Sequence, residues 1–278
     1  MTKGYYHTSD NAYLYYEVTG EGKETILFVP GHMCTTKFFR KNVTELSKNY
    51  KVVTFDNRGF GNSSKPLHGN NVERHADDIY ELVSYLKLEK IILIGWSLSG
   101  SIVTTYAHKY NCKKLVALGL LDCCLFPFSP EPWNSYNSRN YNMDDWNQKY
   151  RLWYADPETY LKNFINRVKD GLSEEEIIMV REEIEKTPPW IGFALHSDWC
   201  HTDCTKLLPQ LTVPVIIFSG KSKGHSPSMG EFYQTQIKTY CEHHEFTTGG
   251  HMMFMIEAPV FNHKLQLFIE KITLNYKE

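Results

Sequence analysis

The sequence predicts an α/β fold, in which a mostly parallel sheet is flanked by helices and interrupted by a helical insertion. Helix-like segments separate the predicted strands, and this alternation implies βαβ crossovers. The strand candidates are apolar on both faces, as the buried strands of a parallel sheet are. Five of them are short, rich in branched residues and bounded by Gly, Pro, Asp or Asn: TILFVP (25–30), KVVTFD (51–56), KIILIGW (90–96), KLVALGLL (114–121) and VPVIIFSG (213–220).

The segments around these strands follow the same logic. Residues 5–18 alternate polar and apolar side chains, which predicts an antiparallel hairpin at one edge of the sheet. Apolar residues recur with helical spacing in ADDIYELVSYLKL (76–88) and in SGSIVTTYAHKY (99–110). A last strand-like run at roughly 242–248 and a final helix complete the predicted core.

Residues 123–205 break this rhythm. They are rich in Trp, Tyr, Asn and acidic residues, and their apolar spacing is helical, as in EEEIIMVREEIEK (174–186). We therefore predict a helical cap formed by residues 123–205, and a core formed by residues 1–122 and 206–278.

Composition excludes several classes of protein. The 278 residues are 42% hydrophobic and 22% charged, which is ordinary for a packed domain. A net charge of -2 gives no field that would attract nucleic acid or an anionic membrane, so we expect neither as a partner. The N-terminus lacks the pattern of a signal peptide, and the seven cysteines are an odd number at irregular spacing. We expect a cytoplasmic protein with reduced thiols.

Ser97 is the candidate nucleophile. It lies between a predicted buried strand and a predicted helix, where a sharp turn projects the hydroxyl above the sheet edge and small residues must flank it. Gly95 fills the first small position, whereas Ser99 and Gly100 follow the serine, giving G-x-S-x-S-G instead of G-x-S-x-G. The alternative is a helix N-cap serine without chemistry.

A serine hydroxyl needs a base to become a nucleophile, and His251 is the candidate. It stands in TTGGHMMFMIEAP, after the last predicted strand and before the final helix, where two glycines allow a tight turn toward the sheet. A surface-loop histidine is the competing interpretation, and it fits His225, His243 and His244 better.

Four motifs together resemble the α/β-hydrolase superfamily, in particular its esterase and cofactor-free haloperoxidase-like branch. The resemblance covers nearly the whole chain, with the cap as its variable part. It implies the fold and a hydrolytic site but does not name a substrate. The motifs occur in the order expected of the family: FVPGH (28–32), FDNRGFGNS (55–63), GWSLSG (95–100) and GGHMMFMIEAPVFNHKLQLFI (249–269).

The sequence departs from the family at the position of the acid. The resemblance places an aspartate in the loop after VPVIIFSG, commonly as G-x-x-D, but Lys223 stands there. No Asp or Glu occurs between Gly220 and Gly230, and Glu231 begins the next helical stretch.

Asp122 is the remaining candidate for the acid, because it follows the neighbouring strand KLVALGLL directly. At that edge it can reach the same histidine and keep the order Ser–Asp–His along the chain. The resemblance includes family members that pair such an aspartate with a G-x-x-S loop, and the segment Gly220–Lys221–Ser222 is its counterpart here. The alternative for Asp122 is a structural cap or an ion pair.

The resemblance also implies two backbone N–H donors for a developing oxyanion. The N–H of Leu98, the residue after the nucleophile, is one of them. The second comes from the loop after TILFVP, where Pro30 and Gly31 replace the His-Gly pair of the family. We expect the amide of His32 to be this donor, with Met33 next in line.

Two groups of residues have structural interpretations that compete with chemical ones. On one helix, His196, Cys200 and Cys204 would form a stripe, but a single helix does not readily surround a tetrahedral zinc ion, so buried thiols are the better interpretation. Cys123 and Cys124 could form a redox pair, but packing under the cap is favoured.

The cap tryptophans fit either the core of the cap or a wall of an apolar pocket, and the sequence does not separate these. Asp56 and Arg58 fit a structural turn without chemistry. The tryptophans concerned are Trp133, Trp146, Trp153, Trp190 and Trp199.

The sequence therefore predicts a carboxylesterase-like serine hydrolase that acts on a small ester or acyl substrate through an acyl-enzyme. Ser97, His251 and Asp122 are its nucleophile, base and orienting acid, and no metal or organic cofactor is expected. A lactonase, a C–C bond hydrolase or a perhydrolase would share this machinery. A non-catalytic ligand-binding protein on the same fold is the alternative from another class. The sequence leaves open whether the protein forms a homo-oligomer.

Overall fold

The computed structural model describes residues 1–134, 142–221 and 228–275. Eight strands form one sheet in the order β1-β2-β4-β3-β5-β6-β7-β8. β1 and β2 form an antiparallel hairpin, β2 pairs antiparallel with β4, and the other neighbours are parallel. The strands are β1 (Thr2–His7), β2 (Tyr13–Thr19), β3 (Thr25–Val29), β4 (Lys51–Phe55), β5 (Ile91–Trp96), β6 (Leu115–Leu121), β7 (Val215–Gly220) and β8 (Cys241–Phe246).

The helices flank this sheet, so the predicted fold class is confirmed. Four of them, α4 to α7, lie between β6 and β7, where the sequence predicts helical structure; the division of the chain at residues 123 and 205 stays a prediction. The helices are α1 (Arg40–Leu46), α2 (Val72–Tyr85), α3 (Ser99–Lys109), α4 (Met143–Ala155), α5 (Pro157–Val168), α6 (Glu174–Ile184), α7 (Pro189–His201), α8 (Ser228–Gln236), α9 (Met253–Ile256) and α10 (Ala258–Asn275).

Two apolar clusters form the core, one on each face of the sheet. Alternate residues of β5 enter opposite clusters, because successive side chains of a strand point to opposite faces: Leu93 joins the first cluster and Ile94 the second. The second cluster also contains aromatic residues from the helices between β6 and β7, together with Phe254 of α9. In that region Trp153 stacks on Tyr160 with ring centroids 4.5 Å apart. The apolar layer on this face is therefore continuous from the sheet into those helices.

A buried arginine joins the opening hairpin to α2. The guanidinium of Arg58 is fully buried and makes two hydrogen bonds to Asp78, of 2.7 and 2.8 Å, and two to Asp10, of 2.8 and 3.0 Å. The hydrogen bond from Arg58 is the main cause that holds the pKa of Asp10 well below its usual range. The FDNRG segment thus has the structural role that its sequence suggests.

We expect Arg58→Met to destabilise the fold. The substitution leaves Asp78 buried, and among the described residues Arg74, 2.9 Å away, is its remaining ionic partner. Breaking a buried pair from one side costs about 3 kcal/mol or more, which corresponds to a fall in melting temperature of roughly 6–12 °C. Thermal unfolding followed by circular dichroism measures the change. Lys48→Met, which removes an exposed ion pair to Glu45, is the control and should change little; equal effects of the two variants would contradict the expectation.

Candidate active site

Ser97 occupies a sharp turn between β5 and α3. Its φ of +59° lies in the left-handed region, which costs a non-glycine residue about 1–3 kcal/mol and is found mainly at functional sites. Its N–H donates to the carbonyl of Leu121 at 2.9 Å, and its side chain is half-buried beside buried neighbours. A Cβ at Gly95 would lie 2.3 Å from the carbonyl oxygen of Ser99, so the turn requires glycine there.

Asp122 lies one strand away, at the same edge of the sheet. Trp96 is paired with Leu121 across β5 and β6, so Ser97 and Asp122 follow at adjacent strand ends. The carboxylate of Asp122 is almost fully buried, and its Oδ1 accepts a 2.9 Å hydrogen bond from the N–H of Gly220. This bond fixes one oxygen and leaves Oδ2 for the histidine.

The structure brings His251 into contact with Asp122, with 2.5 Å between Nδ1 and Oδ2. A proton on Nδ1, donated to the carboxylate, leaves the lone pair on Nε2, which is the tautomer that a general base needs. The side chain of His251 is 19% exposed, so substrate and water can approach it. The two residues that the sequence proposes as base and acid are therefore neighbours, while their catalytic roles stay a prediction.

His251 belongs to a short 3₁₀ turn, Gly250–Met252, where the sequence predicted a loop. The indole N–H of Trp96 donates to the carbonyl of His251 at 3.0 Å, so the residue before Ser97 holds the turn that carries the histidine. A Cβ at Gly220 would lie 1.9 Å from the carbonyl oxygen of Gly250, so glycine at 220 lets this turn pack against β7.

The loop after β3 approaches Ser97 closely. A Cβ at Gly31 would lie 3.1 Å from the Cβ of Ser97. The N–H of Cys34 donates to the carbonyl of Gly31 at 3.0 Å, closing a β-turn whose two central residues are His32 and Met33, the latter at φ +62°. Such a turn uses only the N–H of its fourth residue, so the amides of the two central residues remain outside that bond. The loop thus approaches Ser97 at Gly31, the residue that precedes both expected donors, and their role as oxyanion donors stays a prediction.

Ser99, which stands where the family usually has glycine, connects the start of α3 to the loop after β3. Its hydroxyl donates to the carbonyl of Pro30 at 2.5 Å, and Nδ2 of Asn57 donates to the same oxygen at 2.9 Å. The first turn of α3 and the end of β4 therefore both fix the residue that precedes Gly31. Sequence reasoning assigned no role to Asn57 or Trp96; the position of Asn57 two residues beyond β4, at the carboxyl edge of the sheet, is the signal that could have found it.

We expect Gly31→Ala to lower kcat/KM by about 10²-fold, because the new methyl group would displace either Ser97 or the loop, and small misplacements of reacting groups cost that much. Hydrolysis of an aryl ester measures the effect. Gly4→Ala is the control: its Cβ would meet only the end of the Tyr16 side chain, on an edge strand. Unchanged kcat/KM in the Gly31 variant would contradict the close approach.

Other predicted residues are exposed, bonded to other groups or outside the described residues. Glu231 is exposed in the first turn of α8. Lys223 and His225 lie outside the described residues. His243 is hydrogen-bonded to the hydroxyl of Ser219 at 2.9 Å. Within the described ranges, no helix is both long and apolar enough to cross a bilayer.

His196, Cys200 and Cys204 do not share one helix. Helix α7 carries His196 and Cys200 but ends at His201, and Cys204 begins a separate 3₁₀ helix, Cys204–Gln210. The stripe considered for one helix does not form, because the chain leaves helical geometry at Thr202, and both thiols are buried. Among the residues that the structure describes, no group of three or more His, Cys, Asp or Glu side chains is arranged around a metal position. None of the seven cysteines, all of which lie in the described ranges, forms a disulfide.

The tryptophans of the central helices separate into two groups. Trp146, Trp153 and Trp199 are buried, whereas Trp190 is 43% exposed. Burial of the first three indicates that they form apolar core in this region. The indole of Trp199 also donates to the carbonyl of Cys124 at 2.9 Å, which attaches α7 to the segment after β6.

Comparison with known proteins identifies the family. Residues 24–168, just over half of the chain, match the model of the alpha/beta hydrolase fold. The chain therefore belongs to the α/β-hydrolase fold family, as the motif resemblance implied.

One full-length relative is the AB hydrolase superfamily protein YisY of Bacillus subtilis, which is 26% identical over 95% of this chain and 98% of that protein. A bromoperoxidase from Bacillus anthracis superposes with a TM-score of 0.86 at 20% identity, covering 97% of this chain and all of the other. An esterase from Exiguobacterium antarcticum gives the same TM-score and coverage at 21% identity. At such identities the two solved structures show the shared fold.

Proposed function

We propose that this protein is a serine hydrolase that cleaves small carboxylic esters. The 2.5 Å contact between Nδ1 of His251 and the carboxylate of Asp122, at the sheet edge that also carries Ser97, is the observation that carries the proposal. Membership of the α/β-hydrolase fold family and the likeness to an esterase support a hydrolase. The strained φ of Ser97 supports its role as the nucleophile.

The proposed reaction has two steps. Oγ of Ser97 attacks the ester carbonyl while Nε2 of His251 takes the hydroxyl proton, and the tetrahedral oxyanion accepts hydrogen bonds from the amides of Leu98 and His32. The C–O bond then breaks, and the imidazolium returns the proton to the departing alcohol. Water, deprotonated by the same imidazole, attacks the acyl-enzyme, and the proton passes back to Ser97 as the acid leaves. Asp122 stabilises the imidazolium in both steps.

The non-catalytic alternative depends on the missing G-x-x-D acid. The contact of Asp122 with His251 supplies a carboxylate from the neighbouring strand, which favours an enzyme over a binding protein. A lactonase, a C–C bond hydrolase and a perhydrolase would use the same residues. The choice of an esterase among these activities therefore has to be tested by measuring which substrates the protein turns over. We further propose a small-molecule substrate, and a cytoplasmic location that the seven free thiols support.

A fluorophosphonate probe tests this proposal, because it reacts covalently with an activated serine and with little else. We expect stoichiometric labelling of the wild-type protein, located on Ser97 by peptide mass spectrometry, and no labelling of Ser97→Ala. A panel of aryl esters, lactones and thioesters of graded chain length should show the highest kcat/KM for short aryl esters. An unlabelled wild-type protein, or a label on another residue, would overturn the proposal.

A further inference from the structure

The imidazole of His32 lies where the loop after β3 meets the cap helix α7. Its ring is in edge contact with Phe60, at a centroid distance of 5.7 Å, and with His196 of α7, at 5.3 Å. A Cβ built on Gly192, also in α7, would be 3.5 Å from Nε2 of His32. The residue is only partly buried as a whole, yet both ring nitrogens are shielded from solvent.

Among the residues that the structure describes, neither ring nitrogen of His32 has a hydrogen-bond partner. Burial without a partner is unfavourable for a polar group, and such a group in a native fold calls for an explanation. Burial also lowers the pKa of His32 to about 3, so the ring is neutral at physiological pH. A neutral imidazole offers one N–H donor and one lone pair.

The position of this ring relative to the reacting atoms suggests what it binds. Gly31, the preceding residue, lies against the side chain of Ser97, and His32 itself supplies the proposed oxyanion donor. Because His32 follows Gly31 directly in the chain, a substrate group that hydrogen-bonds to its ring would lie on the side of the site that the loop after β3 forms.

We propose that the His32 imidazole is a specificity-determining group that hydrogen-bonds an uncharged oxygen, a hydroxyl or keto oxygen, near the scissile carbonyl of the substrate. The inference rests on the proposed esterase function and narrows it to oxygenated acyl or alcohol groups. A carboxylate fits poorly, because it would bring an unpaired charge against a ring that burial keeps neutral.

A second histidine provides a matched control. His75 of α2 contacts the same Phe60, at a centroid distance of 6.3 Å, and is 1% exposed. Both of its ring nitrogens lack a hydrogen-bond partner in the described part of the chain. His75 belongs to α2 and not to the loop after β3. An effect common to any buried histidine of this kind would appear in variants of both residues. An effect due to substrate binding by His32 would appear in the His32 variant alone.

The test compares esters that share a p-nitrophenyl leaving group and differ only by a hydroxyl in place of a methyl group. The pairs are 2-hydroxypropanoate with 2-methylpropanoate, and 3-hydroxybutanoate with 3-methylbutanoate. The ratio of kcat/KM within a pair, compared between wild type and variant, cancels the intrinsic reactivity of each ester. We expect His32→Phe to lower the hydroxyl-to-methyl ratio about tenfold for at least one pair, equivalent to about 1.4 kcal/mol. His75→Phe should leave the ratio unchanged.

Equal ratios in wild type and His32→Phe for both pairs, or an equal loss in His75→Phe, would overturn the inference. A second measurement does not need turnover or a folded His32 variant. In Ser97→Ala with ¹⁵N-labelled histidine, ethyl 3-hydroxybutanoate should shift the ring nitrogen signals of His32, and ethyl 3-methylbutanoate should not. If the fluorophosphonate labels Ser97 and neither readout responds, the inference fails and the proposed function stands. If nothing is labelled, the proposed function fails, and the nitrogen shifts alone decide the inference.

Discussion

Replacing Asp122 by asparagine should lower kcat by about 10⁴-fold while the fold stays intact. The reason lies in the two bonds of this side chain. An asparagine can keep its oxygen on the N–H of Gly220, which then directs its amide NH₂ at Nδ1 of His251. Nδ1 would have to accept, so the proton would move to Nε2, and the imidazole could no longer take a proton from Ser97. The expected change is therefore in kcat and not in the free energy of unfolding.

Steady-state hydrolysis of a short aryl ester, together with thermal unfolding, measures both quantities. Glu231→Gln is the matched control, since it also converts a carboxylate to an amide, on an exposed residue of α8. It should retain the wild-type rate. A near-normal kcat for Asp122→Asn would remove Asp122 from the proposed relay, and a large loss in Glu231→Gln would transfer the role of the acid to that residue.

Ser97→Ala should abolish ester hydrolysis, with a loss in kcat of about 10⁶-fold, as expected when the nucleophile of a coupled triad is removed. Alanine keeps the backbone N–H that donates to Leu121, so the turn should persist. The amide donors alone are expected to leave a residual rate about 10³–10⁴-fold above that of the reaction in water. Active-site titration and long incubations at high enzyme concentration are needed to measure rates this low.

Ser101→Ala is the control for this variant. Ser101 lies four residues further along the chain, in α3, and is buried, and its hydroxyl has no hydrogen-bond partner in the part of the chain that the structure describes. It should hydrolyse esters at the wild-type rate. If Ser97→Ala retained a tenth or more of the activity, the chemistry would have to use another nucleophile or a directly activated water.

Much of the fold followed from the sequence because its signals are local. All five apolar runs are strands, since branched residues between turn-forming residues specify a buried strand without reference to the rest of the chain. The candidacy of Asp122 followed from topology, because the carboxyl ends of neighbouring parallel strands share one edge of the sheet. The proton acceptor of the Ser99 hydroxyl did not follow. It depends on the distance between the first turn of α3 and Pro30, which lie 69 residues apart in sequence.

Burial of charged residues was equally beyond the sequence. The pattern of 174–186 predicts the helix but not the burial of its acids, and the carboxylate of Glu183 is 1% exposed. It is stabilised by Lys37 at 2.6 Å and Lys186 at 2.7 Å. Burial opposes its ionisation, but these lysines outweigh that effect and lower its pKa. Lys37 lies just after the β3 loop, so only the folded chain brings this cation to α6.

The continuous apolar layer on one face of the sheet bears on how such proteins diversify. Trp153 and Tyr160 share a cluster with Phe254 and Phe261, which belong to the helices that follow the turn carrying His251. The helices between β6 and β7 are thus not an interchangeable module placed on a finished enzyme. A chimaera that takes these helices from a relative would need matching residues in α9 and α10. Without them it would lose the apolar packing next to the turn that carries His251. New substrate ranges should therefore arise by coordinated substitutions in the helices between β6 and β7 and in α9 and α10.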